Sequence, residues 1–533
     1  MAMLYLITLP KIKVGNKKMN GAEALIQTLY DNGVEVCFAN PGTSEMQLVA
    51  AIGQQEGMRA ILGLFEGVVT GAADGYGRMA DKPAATLLHL GPGLANGLAN
   101  LHNAKRARTP IINIVGDHAA DHLKYNAPLT SDVVGVATPM SDWVRTSTSP
   151  SDLAIAGAES VASALTYPGQ VCTLIAPGDH TWTDGAKVSA SIAAPETAQP
   201  SSAEIKEAAA LLKSNGQAAL FLGGRALRET ALFHAGRITA ATGARLICET
   251  LPARLQRGAG RVEVERLPYF AEMATEHLSG IEQIVFIGSK PPVAFFAYPG
   301  KPGWLSPESS SLFEFDHSNI DAEATLRRLA DELAAPASPK LVKHTPPPAF
   351  EKGKLTRQSA GIITAALMPE NAIVSDEAGT NGMPFYNHAA TAPKHDWLVI
   401  TGGAIGQGLP LATGAAVACP DRKVLALQAD GSGMYTLQAL WTMARENLDV
   451  TVIIMKNNSY GILNIELGRV GVENPSEKAL SLLDLSNPVL DWVALSKGMG
   501  VPASSVTTTD EFSSALKDAI NSKGPRLIEA VLI

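Results

Sequence analysis

The chain has 533 residues, 46% of them hydrophobic and 18% charged, an ordinary globular composition that excludes a disordered or fibrous chain and suggests roughly two to four domains. Its net charge of -8 is spread without large blocks, which excludes the field that a nucleic-acid partner would need. Four widely spaced cysteines, Cys37, Cys172, Cys248 and Cys419, exclude a disulfide scaffold and read as small apolar fillers of a reduced, cytoplasmic protein, and no apolar run is long enough to span a membrane.

Residues 1–18 run apolar and then basic, the wrong order for a secretory signal, and read as a ragged tail or a start set too early before Met19. From 19 to 190, short branched-rich runs recur: VEVCFA, AATLLHL, TPIINIVGD and QVCTLIAP. Helix-like patterns lie between them, at Gly67–Met79 and Leu94–Arg108. Buried strands alternating with helices predict a parallel sheet covered on both faces. After the linker IAAPETAQPSSAEIK the rhythm returns over 203–340 with AALFLGG, ARLICE and QIVFIG. The proline-rich ASPKLVKHTPPPAFEKGK is an extended connection. Residues 353–533 then carry NAIVSDE, KVLALQADG, VTVIIMKNN and PRLIEAVLI. The expected architecture is three α/β domains in series.

Several residues at predicted strand ends can carry chemistry. In NPGTSEM, Thr43 offers a hydroxyl donor or a helix N-cap. In GLFEGVVTGAADGYGRMADKPAA, Glu66 opens a helix crowded with glycine and alanine. A carboxylate in such a seam is costly unless paired, although a helix-dipole role suits it equally well. His89, in LLHLGPG, is placed to move protons near neutral pH or to be a satisfied strand-end residue. His118 and His122 have the spacing of a metal pair but no third ligand nearby.

The most informative stretch begins at Lys423: KVLALQADGSGMYTLQALWTMARENLDVTVIIMKNNSYG. A strand ends at Gln428, Asp430 follows, and Gly431 and Ser432 open a helix expected to run to about Asn447. A second strand leads into Asn457, Asn458 and Ser459. In a parallel sheet both strands open at one edge, so Asp430 and Asn457 can meet across 27 positions. A carboxylate, an amide oxygen, a main-chain carbonyl and phosphate oxygens suit Mg²⁺, and a helix N-terminus suits a diphosphate. Turn capping is the plainer reading of the same residues.

This segment resembles the thiamine diphosphate signature, GDG and later NN, with Ala429 where the signature has its first glycine. The ALWT run makes it particularly similar to benzoylformate decarboxylase. Glu66 and Ala73-Asp74-Gly75-Tyr76-Gly77-Arg78 match that family's glutamate and ADGYAR-like run, and NPGTSEM resembles its NPGSNE turn. The chain is thereby identified as a member of the thiamine diphosphate-dependent decarboxylases and carboligases, acetolactate synthase large-subunit-like in the broad sense. The resemblance implies Asp430, Asn457 and the Ser459 carbonyl as Mg²⁺ ligands. It sets Gly431 and Ser432 against the diphosphate and Ile405 beneath the bent cofactor. Glu377, Gly379, Thr380, Gly403 and Tyr460 complete the expected cofactor contacts.

Glu66 is expected to bond the pyrimidine across a subunit interface, so that a homodimer or homotetramer is the working unit. Thr43 takes the position of a substrate-carboxylate donor, His89 that of the acid–base residue, and His118 that of a further polar contact. The second histidine of the decarboxylase has no counterpart, since Ala297 or Tyr298 falls nearest its place. The implied reaction is decarboxylation of a 2-oxo acid through a C2 ylide and an enamine. An acetolactate synthase-type carboligation is the alternative. FAD, common in that second group, is possible, but LFLGGRAL alone does not support it.

Overall fold

The computed structural model describes residues 18–213, 217–315 and 319–533, so the expectation for residues 1–17 lies outside the described residues. The first sheet is built from β1 (Val36–Asn40), β2 (Arg59–Leu62), β3 (Ala84–His89), β4 (Ile111–Asp117), β5 (Trp143–Thr146) and β6 (Val171–Pro177). Its order is β2-β1-β3-β4-β6-β5, all parallel. Every residue of β4 and β6 is buried, which is why these runs show no alternation of apolar and polar residues.

The middle stretch supplies β7 (Ala218–Leu222), β8 (Arg245–Cys248), β9 (Leu255–Arg257), β10 (Glu265–Arg266), β11 (Gln283–Ile287) and β12 (Ser311–Glu314). Its own sheet has the order β10-β8-β7-β11-β12, again parallel. The last stretch adds β13 (Ala372–Glu377), β14 (His395–Val399), β15 (Val424–Ala429), β16 (Val450–Lys456), β17 (Ala503–Val506) and β18 (Arg526–Val531). They form the sheet β17-β18-β16-β15-β13-β14-β9. Strand β9 crosses over from the middle stretch and pairs antiparallel with β14, so the two units share a sheet edge. Among the described residues, no helix is long and apolar enough to cross a membrane.

Two helices, Glu66–Ala80 and Gly408–Ala418, join the first and third units. A Cβ on Gly75 would stand 2.0 Å from the Leu411 carbonyl oxygen, and one on Gly414 would stand 1.8 Å from that of Ala72. Only glycine at these crossings lets the backbones touch. The buried Asp74–Arg78 pair locks the junction. Arg78 Nε and Nη2 donate to the carboxylate at 2.8 and 2.7 Å, and Nη1 reaches the carbonyls of Val399 at 2.8 Å and Ala253 at 3.0 Å. Thr109 Oγ1 and Gln407 Nε2 donate to Asp74 at 2.6 and 2.5 Å. The ADGYGR run is therefore a polar joint between all three units, with its buried charges fully bonded.

Candidate active site

Two clusters of side chains stand at carboxyl edges of sheets, where open α/β sheets hold ligands. The first lies beyond β1 and β3. The turn after β1 becomes a short 3₁₀ stretch, Thr43–Glu45, in which Glu45 is fully buried. Its Oε2 accepts from the Gly42 N–H at 2.7 Å and meets His89 Nδ1 at 2.8 Å, and its Oε1 accepts from Ser44 Oγ at 2.5 Å. A Cβ on Gly116 would fall 1.8 Å from Glu45 Oε1, so the carboxylate needs glycine there. Ser44 Oγ also meets His89 Nδ1, at 3.1 Å. Thr43 is exposed, and it is Ser44 that touches the imidazole. The side-chain period within one tight turn decided this, and no sequence signal separates the two hydroxyls.

Glu66 is the first residue of its helix, and its carboxylate accepts from Asn96 Nδ2 at 3.0 Å. A Cβ on Gly93 would lie 3.3 Å from Glu66 Oε1 and 3.4 Å from His89 Cβ, so the two residues flank one small space. His118 and His122 sit on the loop after β4 with ring centroids 5.5 Å apart. Among the described residues, no group of three His, Cys, Asp or Glu side chains could hold a metal.

The second cluster lies beyond β13, β15 and β16. Asp430 is buried, and its oxygens accept from the N–H groups of Gly431 at 2.9 Å, Asn457 at 3.1 Å and Asn458 at 2.7 Å. Burial pushes its carboxyl pKa up, and the three backbone N–H groups work in the opposite direction. Asn457 Oδ1 accepts from Ser459 N–H at 3.1 Å. One carboxylate, one amide oxygen and main-chain carbonyls thus lie on two turns that Asp430 ties together, donor types that fit Mg²⁺. Ala429 has φ of -75°, a conformation that alanine adopts without strain. A Cβ on Gly431 would stand 2.6 Å from the Tyr460 ring, so glycine is required where the chain turns.

The turns above this pair suit a cofactor. Gly379 and Gly403 have φ of +57° and +74°, and a Cβ on either would meet nothing within 4 Å. Both face open space in a conformation that favours glycine. Ile405 stands after Gly403, 38% exposed, an apolar side chain presented outward.

Glu377 departs from its expected direct contact with the cofactor. Its side chain turns inward, where it accepts from the Gly406 and Gly408 N–H groups at 2.6 and 2.5 Å and from Gln428 Nε2 at 3.2 Å. Gln428 in turn donates to Ser432 Oγ at 2.7 Å. Glu377 therefore holds the Ile405 turn to the Ser432 loop. Burial raises its pKa to about 7 against these hydrogen bonds.

The helix expected to run from Gly431 to Asn447 is also broken. A single turn, Asp430–Gly433, is followed by an irregular stretch and then Ala439–Arg445. Thr436 Oγ1 donates to the Gly406 carbonyl at 2.8 Å, which draws the chain off the helical path. Asn100 Nδ2 donates to the carbonyls of both Gly67 and Gly406, at 2.7 and 3.3 Å. It links the bases of the two clusters, but among the described residues no hydrogen bond joins the Glu66 carboxylate to the second cluster within one chain.

The crevice of the middle unit gives a flavin nucleotide no support. Its strand order places the natural crevice between β7 and β11. There Gly223 N–H bonds Ile287 O at 3.1 Å, and a Cβ on Gly288 would fall 2.4 Å from Gly223 O. The Gly224 N–H is taken by Glu249 Oε1 at 3.1 Å, a carboxylate where a diphosphate would need donors. Arg225 and Arg228 turn away to Asp81, at 3.5 and 3.2 Å.

Comparison with known proteins agrees with the two-cluster arrangement. Residues 19–136 match the N-terminal, and residues 377–530 the C-terminal, thiamine pyrophosphate-binding domain of thiamine pyrophosphate enzymes. A Mycobacterium tuberculosis protein with the provisional name acetolactate synthase large subunit IlvX is 52% identical over 515 residues, 96% of this chain and 99% of that one. Benzoylformate decarboxylase of Pseudomonas aeruginosa is 27% identical over 534 residues, 95% of this chain and 97% of its own. The solved thiamine diphosphate-dependent 4-hydroxybenzoylformate decarboxylase of Rhodococcus jostii RHA1 superimposes with a TM-score of 0.84 at 24% identity, covering 96% of this chain and 99% of that one. Benzoylformate decarboxylase of Polynucleobacter necessarius does so with 0.83 at 22%, covering 96% and 98%. At such identities the last two establish the α/β fold. With this fold, both cofactor-binding domains and a relative matched along nearly its whole length, the chain belongs to the thiamine diphosphate-dependent decarboxylase/carboligase family of enzymes.

Proposed function

We propose that this enzyme removes CO₂ from a 2-oxo acid and joins the remaining acyl unit to a second carbonyl compound, an acetolactate synthase-type carboligation. The observation that carries the reading is the wall presented by the middle unit near the helix Gly461–Arg469. It is aromatic and holds no histidine. Phe295 stacks on Tyr269 with centroids 4.7 Å apart, and Phe296 is 58% exposed beside it. The phenol of Tyr298 is pushed up in pKa by hydrogen bonding to Glu466 on that helix, which makes it a poor acid. Release of a free aldehyde needs a proton delivered to carbon. An aromatic wall without a ready donor favours attack on a second carbonyl instead. The 52% identity to a relative named for acetolactate synthesis supports the same reading.

In this reading Asp430, Asn457 Oδ1 and the Ser459 carbonyl hold Mg²⁺, and Gly431 and Ser432 receive the diphosphate. Gly379, Thr380, Gly403, Ile405 and Tyr460 enclose the rings. Glu66 holds a proton at the pyrimidine nitrogen across a subunit interface, which makes a dimer the smallest working unit. Thiamine diphosphate supplies the electron sink for loss of CO₂. His89, oriented by Glu45 and Ser44, moves protons, and Thr43 donates to the substrate carboxylate. The His89–Glu45 pair also favours a second reading, simple decarboxylation with His89 as the sole donor.

Purified protein with thiamine diphosphate, Mg²⁺ and pyruvate separates the two. Acetolactate as the main product, identified by mass spectrometry, is expected. Free acetaldehyde in step with CO₂ would overturn carboligation and establish the second reading.

A further inference from the structure

The chain from Thr401 to Gly406 forms neither helix nor strand. Gly403 and Gly406 carry φ of +74° and +95°, and a glycine-rich run of this kind has many conformations open to it. Its shape is imposed from outside, largely by the last turns of the helix Leu90–Ala107 in the first unit. Asn103 is fully buried and pairs its side-chain amide with the backbone of Ala404. Its Oδ1 accepts from the Ala404 N–H at 3.2 Å, and its Nδ2 donates to the Ala404 carbonyl at 2.8 Å. Nδ2 also donates to Asn100 Oδ1 at 3.2 Å. The amide is thereby fixed in one orientation, because turning it over would set oxygen against oxygen. His102 Nε2 donates to the Gly402 carbonyl at 3.1 Å, and the Asn103 carbonyl accepts from Thr401 Oγ1 at 2.6 Å. A Cβ on Gly402 would lie 2.6 Å from both Asn103 Oδ1 and His102 Cδ2, so glycine there lets the two side chains reach the backbone.

These bonds alternate along the turn. Gly402 and Ala404 are held by the helix, and Gly406 is held through its N–H by Glu377 and through its carbonyl by Thr436 and Asn100. Gly403 and Ile405 lie between them and are exposed. Among the described residues, neither makes a main-chain hydrogen bond. The turn thus presents outward the two residues read above as cofactor contacts and is gripped by those that alternate with them. An apolar side chain orients a bound ring only as well as its own backbone is fixed. A displacement of about 1 Å at a reacting centre costs about a hundredfold in rate.

We propose that Asn103 and His102 are positioning residues for the cofactor: by fixing Ala404 and Gly402 they set Ile405 against its rings. The proposal rests on the reading of Gly403 and Ile405 as cofactor contacts. It makes the first unit of a chain shape the cofactor seat of that same chain.

Two measurements on protein loaded with thiamine diphosphate and Mg²⁺, without substrate, test this. One is exchange of the thiazolium C2 proton for deuterium, followed by proton NMR after acid quench. The other is thiamine diphosphate affinity by calorimetry. Asn103→Ala should slow exchange about tenfold or more and weaken binding about fivefold, and His102→Leu should slow exchange about threefold. Ile405→Ala should slow it about as much as Asn103→Ala. Because Asn103 acts through Ile405, adding Asn103→Ala to Ile405→Ala should slow exchange less than about twofold further. Parent-rate exchange in either helix variant, with Ile405→Ala slow, would overturn the proposal and leave the seat reading standing. Parent-rate exchange in Ile405→Ala would overturn the seat reading and the proposal with it. Fully additive losses in the double variant would assign Asn103 a structural role only and also overturn it. Should Asn103→Ala fail to fold, His102→Leu, which removes one bond from a partly exposed residue, decides alone by the same comparison.

Discussion

Glu377 offers a direct test of how burial and hydrogen bonding compete at the turn that carries Ile405. Its carboxylate accepts two backbone N–H groups and one from Gln428, which favours the charged form. Burial, with the adjacent Asp376 carboxylate adding to it, favours the neutral one and wins, raising the pKa from 4.5 to about 7. A carboxyl group whose folded pKa is raised contributes stability that is fully present below pH 4.5 and is lost as pH rises through about 7. At about 1.4 kcal/mol for each pH unit between the two values, the loss amounts to about 3 kcal/mol. Glu377→Gln removes the titration while keeping the shape. It leaves one N–H without an acceptor, a cost of about 1–3 kcal/mol at every pH. The variant should therefore gain on the parent by about 3 kcal/mol between pH 4 and pH 8.5, and all other titrating groups cancel in the difference. Urea unfolding of the cofactor-free protein followed by tryptophan fluorescence measures this. Trp397 is fully buried and donates to Asp376 Oδ2 at 3.0 Å, so it reports on this strand. A pH-independent gap would show the carboxylate titrating as it does in the unfolded chain. A gap that moves the other way would show that the three donors outweigh burial, and either result refutes the reasoning.

The polar joint predicts that Arg78→Ala leaves Asp74 buried and unpaired between three units, at a cost of about 3–5 kcal/mol; a urea midpoint within error of the parent would contradict it. Asp430→Ala should weaken Mg²⁺-dependent thiamine diphosphate binding by about a hundredfold or more, because the carboxylate is the proposed metal ligand and pins the Asn457–Asn458 turn; calorimetry at fixed Mg²⁺ gives the ratio. Glu66→Gln should bind thiamine diphosphate normally and melt at the parent temperature, yet turn over at least about a hundredfold more slowly. Equal turnover would remove Glu66 from proton transfer.

Much of the candidate site was legible because its residues sit at strand ends, where position along the chain translates directly into position in space. Asp430 and Asn457 end neighbouring parallel strands, β15 and β16, so their meeting follows from counting alone. Glu66 was singled out by the resemblance of its helix to the family's glutamate and ADGYAR-like run, since the glycine- and alanine-rich helix alone suits a helix-dipole role equally well. What could not be read was decided by partners distant in sequence or by the register of a single turn. The carbonyl partners of Arg78 lie 175 and 321 positions away. Glu377 turns inward because glycine N–H groups some thirty positions on are free to receive it, a competition that no local pattern encodes. Strand β9 has three residues, too short to show a period, and it reveals its sheet only through β14. Arg257 and Arg266 look like ordinary surface charges in the sequence, and only the fold shows that they share the ring of Tyr386. The same contrast explains why the family is more secure than the reaction. The cofactor motifs are sequence-local turns that can be matched residue by residue, whereas in the proposed reading the fate of the acyl unit depends on a wall assembled from Tyr269, Phe295 and Tyr298 in one unit and Glu466 in another. In that reading, a change of the wall from imidazole to aromatic would leave every cofactor motif intact, and one fold could serve both reactions.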